Sequence, residues 1–305
     1  MANLRDIRDR ISSVKSTQQI TRAMKMVAAA RMRKAQERMM AARPYTRQLK
    51  ETIQKLVERS EVKNPLFRES KEMPKVLVLV MGSDRGLCGG FNTNLFRVIE
   101  HNLHEHFDEH MKNKQLSMIC FGKKANDFFK ARKYPVIKDY VGFFDHLQYK
   151  QVQTVMDQII DEFQQGEWDE VYLAYNEFKS VISQKKRFIK VLPVESPGEV
   201  VSSDKKAENS ENNSKDLSDI DYLYEPDPEI ILDYVLPLFV NVQMWQAALE
   251  SYAAEQGARM TAMDSATENA GDIISDLQLA YNQARQSAIT TEISEIVSGA
   301  EALSE

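Results

Sequence analysis

Cysteine is almost missing from this chain: Cys88 and Cys120 are the only two in 305 residues. Two cysteines with no paired spacing build no disulfide framework, so a reducing compartment is the expectation. No apolar run approaches the roughly 20 residues that a membrane span needs, and Met1 leads straight into a helical pattern without a signal-peptide core. A soluble cytoplasmic protein, or a peripheral one, is expected. Glycine is scarce, with 11 residues in all, and none interrupts the chain before Pro44. No Ser/His/Asp or Cys/His arrangement has a recognisable local signature, so no catalytic residue and no cofactor are expected.

What the chain does have is charge polarity. Residues 1–50 carry 13 Lys/Arg against 3 Asp/Glu, whereas residues 227–305 carry 13 Asp/Glu against two basic residues, Arg259 and Arg285. The formal net charge of −5 hides that separation. At 43% hydrophobic the chain is long enough to bury a sizeable core in one or two domains.

Both ends repeat apolar residues at heptad spacing, the pattern of a helix that seeks a partner helix along one seam. The first seam reads Leu4, Ile7, Ile11, Val14, Gln18, Thr21, Lys25, Ala28, Met32, Ala35 and Met39. The last reads Ile231, Val235, Leu238, Val242, Trp245, Leu249, Tyr252, Gln256, Arg259, Met263, Ala266, Ala270, Ile273, Leu277, Ala280 and Ala284. Opposite net charge favours pairing of the two arms over self-pairing of either, which points to an antiparallel coiled coil within one chain. Asn3 reads as an N-cap, Pro44 as a kink after which Leu49, Ile53 and Leu56 resume the helix, and Asp227-Pro228-Glu229 as the start of the last helix. Pro237 leaves open whether that helix kinks or starts there.

Between the arms the signals change. Lys75 to Met81 is a short apolar run of the kind buried on both faces of a sheet, followed by the loop Gly82 to Gly90 and a helix near 92–106. Gln115 to Phe121, Pro135 to Tyr140, Glu170 to Asn176 and Phe188 to Val194 read as further strands. Lys123 to Lys133 and Gln151 to Phe163 read as helices. The alternation predicts an α/β fold with a small, mostly parallel, Rossmann-like sheet. Residues 196–220 are polar, without aromatics, and read as a flexible insert. The expected organisation is a coiled-coil helix over 1–60, an α/β domain over 74–195, the insert over 196–220, and a foot segment with a long coiled-coil helix over 221–305.

Length adds an argument. At about 1.5 Å per residue, a last helix reaching Gly299 extends about 105 Å against about 80 Å for the first. Part of it outruns its partner, and its tail from Leu279 to Ile293 is small or apolar round much of its circumference. Either another protein encloses that tip or the terminus frays.

Three local features invite chemistry. The Gly82–Gly90 loop lies where glycine-rich loops cradle phosphate, but it lacks Gly-Lys-Ser/Thr and GxGxxG spacing, and a tight turn explains it more simply. His101, His104, His106 and His110 suggest metal, yet HExxH fails and the four fall on opposite sides of a helix. Arg22, Lys25, Arg31, Arg33 and Lys34 form a run with no acid between positions 20 and 35. No aromatic interleaves it for stacking on nucleic acid, so the open readings are a basic collar for an acidic protein and a solvated, intramolecularly paired face.

Five segments together carry a resemblance. These are Thr21-Arg22-Ala23-Met24-Lys25-Met26-Val27-Ala28-Ala29-Ala30-Arg31-Met32-Arg33-Lys34-Ala35; Ser83-Asp84-Arg85-Gly86-Leu87-Cys88-Gly89-Gly90; Tyr222-Leu223-Tyr224-Glu225-Pro226; Gly257-Ala258-Arg259-Met260-Thr261-Ala262-Met263; and Ala284-Arg285-Gln286-Ser287-Ala288-Ile289-Thr290. In this order, over almost the full chain, they resemble the gamma-subunit family of F-type ATP synthases. The resemblance implies a non-catalytic rotor shaft inside a ring of alternating alpha and beta subunits, present in one copy per complex. Its α/β domain would sit near the epsilon subunit and the membrane c-ring.

Residue by residue, the resemblance implies that Arg285, Gln286 and Thr290 would meet a catch loop of the ring. Arg22, Met24, Lys25, Arg31 and Arg33, with Asp84, Arg85 and Cys88, would lie near the acidic lever segments of the beta subunits, and Arg259 would belong to the same coupling region. Tyr222, Tyr224 and Glu225 would form the foot on the c-ring and epsilon subunit. Without a transit peptide or the chloroplast cysteine pair, a bacterial form on the cytoplasmic face of the inner membrane is expected, with no nucleic acid partner. A self-associating structural coiled coil and a nucleotide-using α/β enzyme are the alternatives from other classes.

Overall fold

A computed structural model of the chain describes residues 4–59, 64–68, 73–194, 225 and 227–302. Helix α1 spans Leu4–Arg59 and continues through Pro44 without a break, although that residue has no N–H to give the helix. Strand β1 (Val76–Met81) is followed by α2 (Phe91–His106), the short α3 (Asp108–Lys112), β2 (Leu116–Phe121) and α4 (Lys123–Ala131). Then come β3 (Val136–Tyr140), α5 (Tyr149–Gln164), β4 (Glu170–Phe178), β5 (Gln184–Leu192) and α6 (Pro228–Ala302). Helix α6 starts at Pro228 and contains Pro237, so it does not begin at the later proline. The Asp227 carboxylate accepts the Glu229 N–H at 3.1 Å, which caps that start. The expected cap Asn3 and the insert at 196–220 lie outside the described residues.

Two compact units share these elements, and their limits fall within the long helices: residues 31–258 form one, and residues 1–30 with 259–305 form the other.

In the larger unit five strands form a sheet in the order β3-β2-β1-β4-β5, parallel except for the antiparallel β4–β5 pair. Every residue of β1 is buried, as its unbroken apolar sequence requires of a central strand covered on both faces. One face packs on Leu95, Phe96, Ile99 and Leu103 of α2 and on Ala125 and Phe129 of α4. At the β5 edge, Val194 N–H donates to Leu66 O at 2.8 Å.

The part of α6 in this unit is buried on several sides. Leu232, Leu236, Val240, Met244, Ala247, Ala248, Leu249, Ala253 and Ala254 are all buried, whereas Ile231, Val235 and Leu238 of the expected seam are only half-buried. Several neighbours replace the single seam. Asn241 donates to Asp157 of α5 at 2.7 Å, Trp245 stands edge-on to Tyr149, and Tyr252 stacks on Phe144. Gly257 sits where the β4–β5 turn comes closest. A Cβ there would lie 3.4 Å from Met32 Sδ and 3.5 Å from Val181 O, contacts that leave little space for more than a methyl group. By length and composition α6 also meets the criterion for a membrane span, but 39% of that apolar window is buried inside the protein.

The smaller unit is the antiparallel pair of α1 and α6. Thr21 and Thr267 hydroxyls meet at 2.8 Å, Gln18 Nε2 donates to Thr267 O at 3.3 Å, and Lys25 pairs with Asp264. Ile7, Thr21 and Ala28 of α1 and Met263, Ala270 and Ile274 of α6 fill the seam. Ile274 takes the place expected for Ile273, which is 48% exposed. The facing set Met263, Thr267, Ala270, Ile274, Leu277, Tyr281 and Ala284 steps by four and three, the spacing that keeps one stripe on a partner helix.

Candidate partner-binding surfaces

The loop after β1 is built from its own polar groups. Ser83 is fully buried, its N–H donates to Asn92 Oδ1 at 3.0 Å and its hydroxyl to Arg85 O at 2.8 Å. Asn92 Nδ2 donates back to Ser83 Oγ at 2.7 Å and reaches Cys88 Sγ at 3.4 Å. Gly122, at φ +91°, lets β2 turn into α4 beneath this loop, where a Cβ would fall 2.9 Å from backbone atoms of Gly82 and Ser83.

Asp84 braces the whole corner. Its Oδ1 accepts the Lys123 N–H at 3.1 Å, the first residue of α4, and the Gly142 N–H at 2.7 Å; its Oδ2 accepts the Phe144 N–H at 3.4 Å. A carboxylate at the start of α4 also faces the positive end of the helix dipole. Two of the three residues expected to touch a partner from this loop are therefore turned inward: Asp84 toward backbone amides, and Cys88, at 2% exposure, toward Ser83 and Asn92. The Cys88 thiol packs inside the loop, within 3.9 Å of Ser83 Oγ and Arg85 O. Arg85 is displayed, its side chain 70% exposed and 3.6 Å from the half-exposed Asp145. Leu87, two residues on and at φ 61°, is 66% exposed.

On α1 the basic run lies off the seam. Arg22, Arg31 and Arg33 are exposed, whereas Met24 and Lys25 are half-buried at its margin. Met26 and Val27, at 60% and 51% exposure, put apolar area beside the arginines. Sequence reasoning passed over these two, although placing Lys25 and Ala28 on the seam already turns the residues between them outward. Arg259 is a seam residue, 8% exposed, and belongs to the interior of its helix pair rather than to a surface.

Beyond Ala284 every residue of α6 to Ala300 is exposed. Ile289, Ile293, Ile296 and Val297 are 48%, 56%, 66% and 58% exposed. At about 100° per residue these four share an arc of about 140° with Arg285, Gln286 and Thr290. The other side carries Ser287, Thr291, Glu292, Glu295 and Ser298. The exposed tip thus has one amphipathic face, apolar with an arginine at its base. Glu225 is exposed, and Tyr222 and Tyr224 lie outside the described residues.

His101, His104 and His106 are exposed on α2, whereas His110 on α3 stands edge-on to Phe107 at 5.5 Å with both ring nitrogens buried and unbonded among the described residues. His101 pairs with Glu105 at 3.0 Å, and His104 and His106 each approach a carboxylate at 4.0 Å.

A family model described as ATP synthase matches residues 3–303. The ATP synthase gamma chain of Chlorobaculum parvum is 45% identical over 304 residues, which is 99% of each chain. The chain belongs to the ATP synthase family. The gamma chain of Pelodictyon phaeoclathratiforme is 46% identical over 306 residues, again 99% of each chain. The central stalk and c-ring structure of the Tetrahymena thermophila mitochondrial ATP synthase has a similar chain, with a TM-score of 0.56 and 25% identity over 81% of this chain and 99% of that one. A chain of the Euglena gracilis mitochondrial ATP synthase shares the fold at a TM-score of 0.65, with 18% identity over 98% of this chain and 94% of that one. Within this family the two long helices and the five-stranded sheet are accounted for from end to end.

Proposed function

We propose that this chain is the central rotor shaft, the gamma subunit, of a proton-translocating F-type ATP synthase. It carries ion-driven rotation to the catalytic beta subunits and catalyses nothing itself. The observation that carries this reading in the chain is the tip of α6. A helix whose exposed Ile289, Ile293, Ile296 and Val297 share an arc of about 100°, with no partner among the described residues, needs a surrounding protein, since exposed apolar area of this kind marks an interface. The gamma-chain relatives, which match over their whole length, supply the rest.

The surfaces divide the work. The tip face, with Arg285, Gln286 and Thr290, meets the upper part of the alpha/beta ring. The exposed arginines of α1, namely Arg22, Arg31 and Arg33, with Met24, Lys25 and the displayed Arg85, face the acidic lever segments of the beta subunits. Asp84 and Cys88 act there by holding Arg85 in place, and Arg259 by fixing the helix pair. The foot with Tyr222, Tyr224 and Glu225 meets the epsilon subunit and the c-ring. Rotation then presents these asymmetric faces to three beta subunits in turn, and each beta subunit's nucleotide affinity follows the face it meets. The complex is membrane-bound, with this subunit peripheral on the cytoplasmic face of the bacterial inner membrane.

The test is co-expression with alpha and beta subunits, followed by mass determination and ATPase assay. The expected result is one copy per alpha/beta hexamer with ATPase restored. Homodimers that fail to join the ring would overturn the reading.

A further inference from the structure

The packing of α6 on the sheet in the larger unit holds a carboxyl group for which the shaft role has no use. Glu250 is 4% exposed, and among the described residues its one hydrogen bond comes from Gln246 Nε2, 3.1 Å away on the same helix. Facing it are Tyr175 and Glu177 of β4, Lys179 just beyond that strand, Arg187 of β5 and Arg43 of α1. Two of these cations are held by the neighbouring carboxylate: Lys179 Nζ and Arg187 Nε each lie 2.7 Å from Glu177, which leaves Arg43 as the cation acting on Glu250 from α1. The neighbouring Ser251 hydroxyl is buried with no hydrogen-bond partner among the described residues. A buried carboxylate beside an ionised one, with its only donor an amide, is costly to keep charged.

We infer that Glu250 is a proton-binding site, and that the bound proton secures the seating of α6 on β4. Geometry and electrostatics agree. Burial pushes the Glu250 carboxyl above its ordinary value and the charge of Glu177 adds to this, against the hydrogen bond of Gln246 and the charges of Arg43 and Lys179. Burial opposes ionisation of Glu177 as well, but hydrogen bonds from Arg187 and Lys179 outweigh it and hold that carboxyl below its ordinary value. Of the pair, Glu177 is the more readily ionised and Glu250 the more readily protonated.

The sign follows from linkage. The folded chain binds this proton more tightly than the unfolded chain, so the stabilisation is complete below the ordinary glutamate value of 4.5. It is lost as pH rises through the higher folded value. A more alkaline medium therefore loosens α6 on the sheet.

The site lies wholly within this chain, so the isolated full-length protein suffices for the test. Carbon-13 label in the glutamate side chains, assigned by the loss of one signal in E250Q, gives the titration midpoint of Glu250 directly. The expected midpoint lies above 4.5, and the denaturation midpoint of the native chain falls relative to that of E250Q as pH rises through it. A midpoint at or below 4.5, or identical pH profiles for the two proteins, overturns the inference. E177Q supplies a second reading with Glu250 intact: it removes a negative neighbour and frees two cations, so the Glu250 midpoint shifts down. An unchanged or higher midpoint in E177Q also overturns it.

Discussion

Removing the Asp84 carboxylate separates the brace of the loop from its display. Asp84→Ala leaves the first amide of α4 without its acceptor and strands the amides of Gly142 and Phe144, which sit at 3.1, 2.7 and 3.4 Å from that carboxylate. Loss of a helix cap costs about 0.5–2 kcal/mol. The Gly142 bond adds about 1 kcal/mol, while the longer Phe144 bond is weak. The total is about 2 kcal/mol for opening this corner, or about thirtyfold in the opening equilibrium. Hydrogen exchange of the Lys123 and Gly142 amides reads that factor locally, without assuming that the two units unfold together. Arg85→Ala removes an exposed pair at 3.6 Å and leaves exchange at those amides within about twofold. Equal acceleration by both substitutions, or none by Asp84→Ala, would refute the view that Asp84 braces the loop from which Arg85 projects.

Three further outcomes are expected. Ile289→Ser with Ile293→Ser leaves the thermal midpoint of the isolated chain unchanged, because both side chains are already about half exposed, yet weakens co-purification with the alpha/beta ring; equal loss of helicity would show that they hold the fold. Gly122→Ala lowers stability by about 1–3 kcal/mol in a denaturant titration, because it combines a strained φ with a 2.9 Å backbone contact. Cys120, whose thiol burial pushes up to about 12, resists alkylation at pH 8 in the native chain and reacts once denaturant is added; fast labelling of the native chain would contradict the packing described for β2.

Much of the fold can be read from the residues, for physical reasons that also explain the failures. The α1 seam is legible because Ile7, Thr21, Ala28, Met32, Ala35 and Met39 bury themselves at heptad steps along one line. The α6 seam is misread near Ile231 and Val235 because Leu232 and Leu236 are the buried residues there, in a stretch of α6 bonded both to Asn64 and to Asp157 of α5 rather than to a single partner helix. β1 declares itself through an unbroken apolar run. β5 begins earlier than expected, at Gln184, because Lys185, Lys186 and Arg187 are charged, as an edge strand allows and a central strand does not.

The exposure of the α1 arginines and of the α6 tip, which the proposed interface uses, is legible in the sequence, where helical periodicity alone sorts the faces. The inward roles of Asp84 and Cys88 are not, since their partners at positions 92, 123, 142 and 144 are joined only by the fold. Glu250 is equally silent in sequence: nothing local distinguishes it from the solvated acids of the same arm.

The claim that this chain turns as a shaft is tested most directly by watching it turn. With the alpha/beta ring immobilised and a rod attached to the α/β domain, the account predicts continuous rotation in one direction on addition of ATP, lost on cross-linking Ile293→Cys to the ring. ATP hydrolysis with the rod stationary would contradict it.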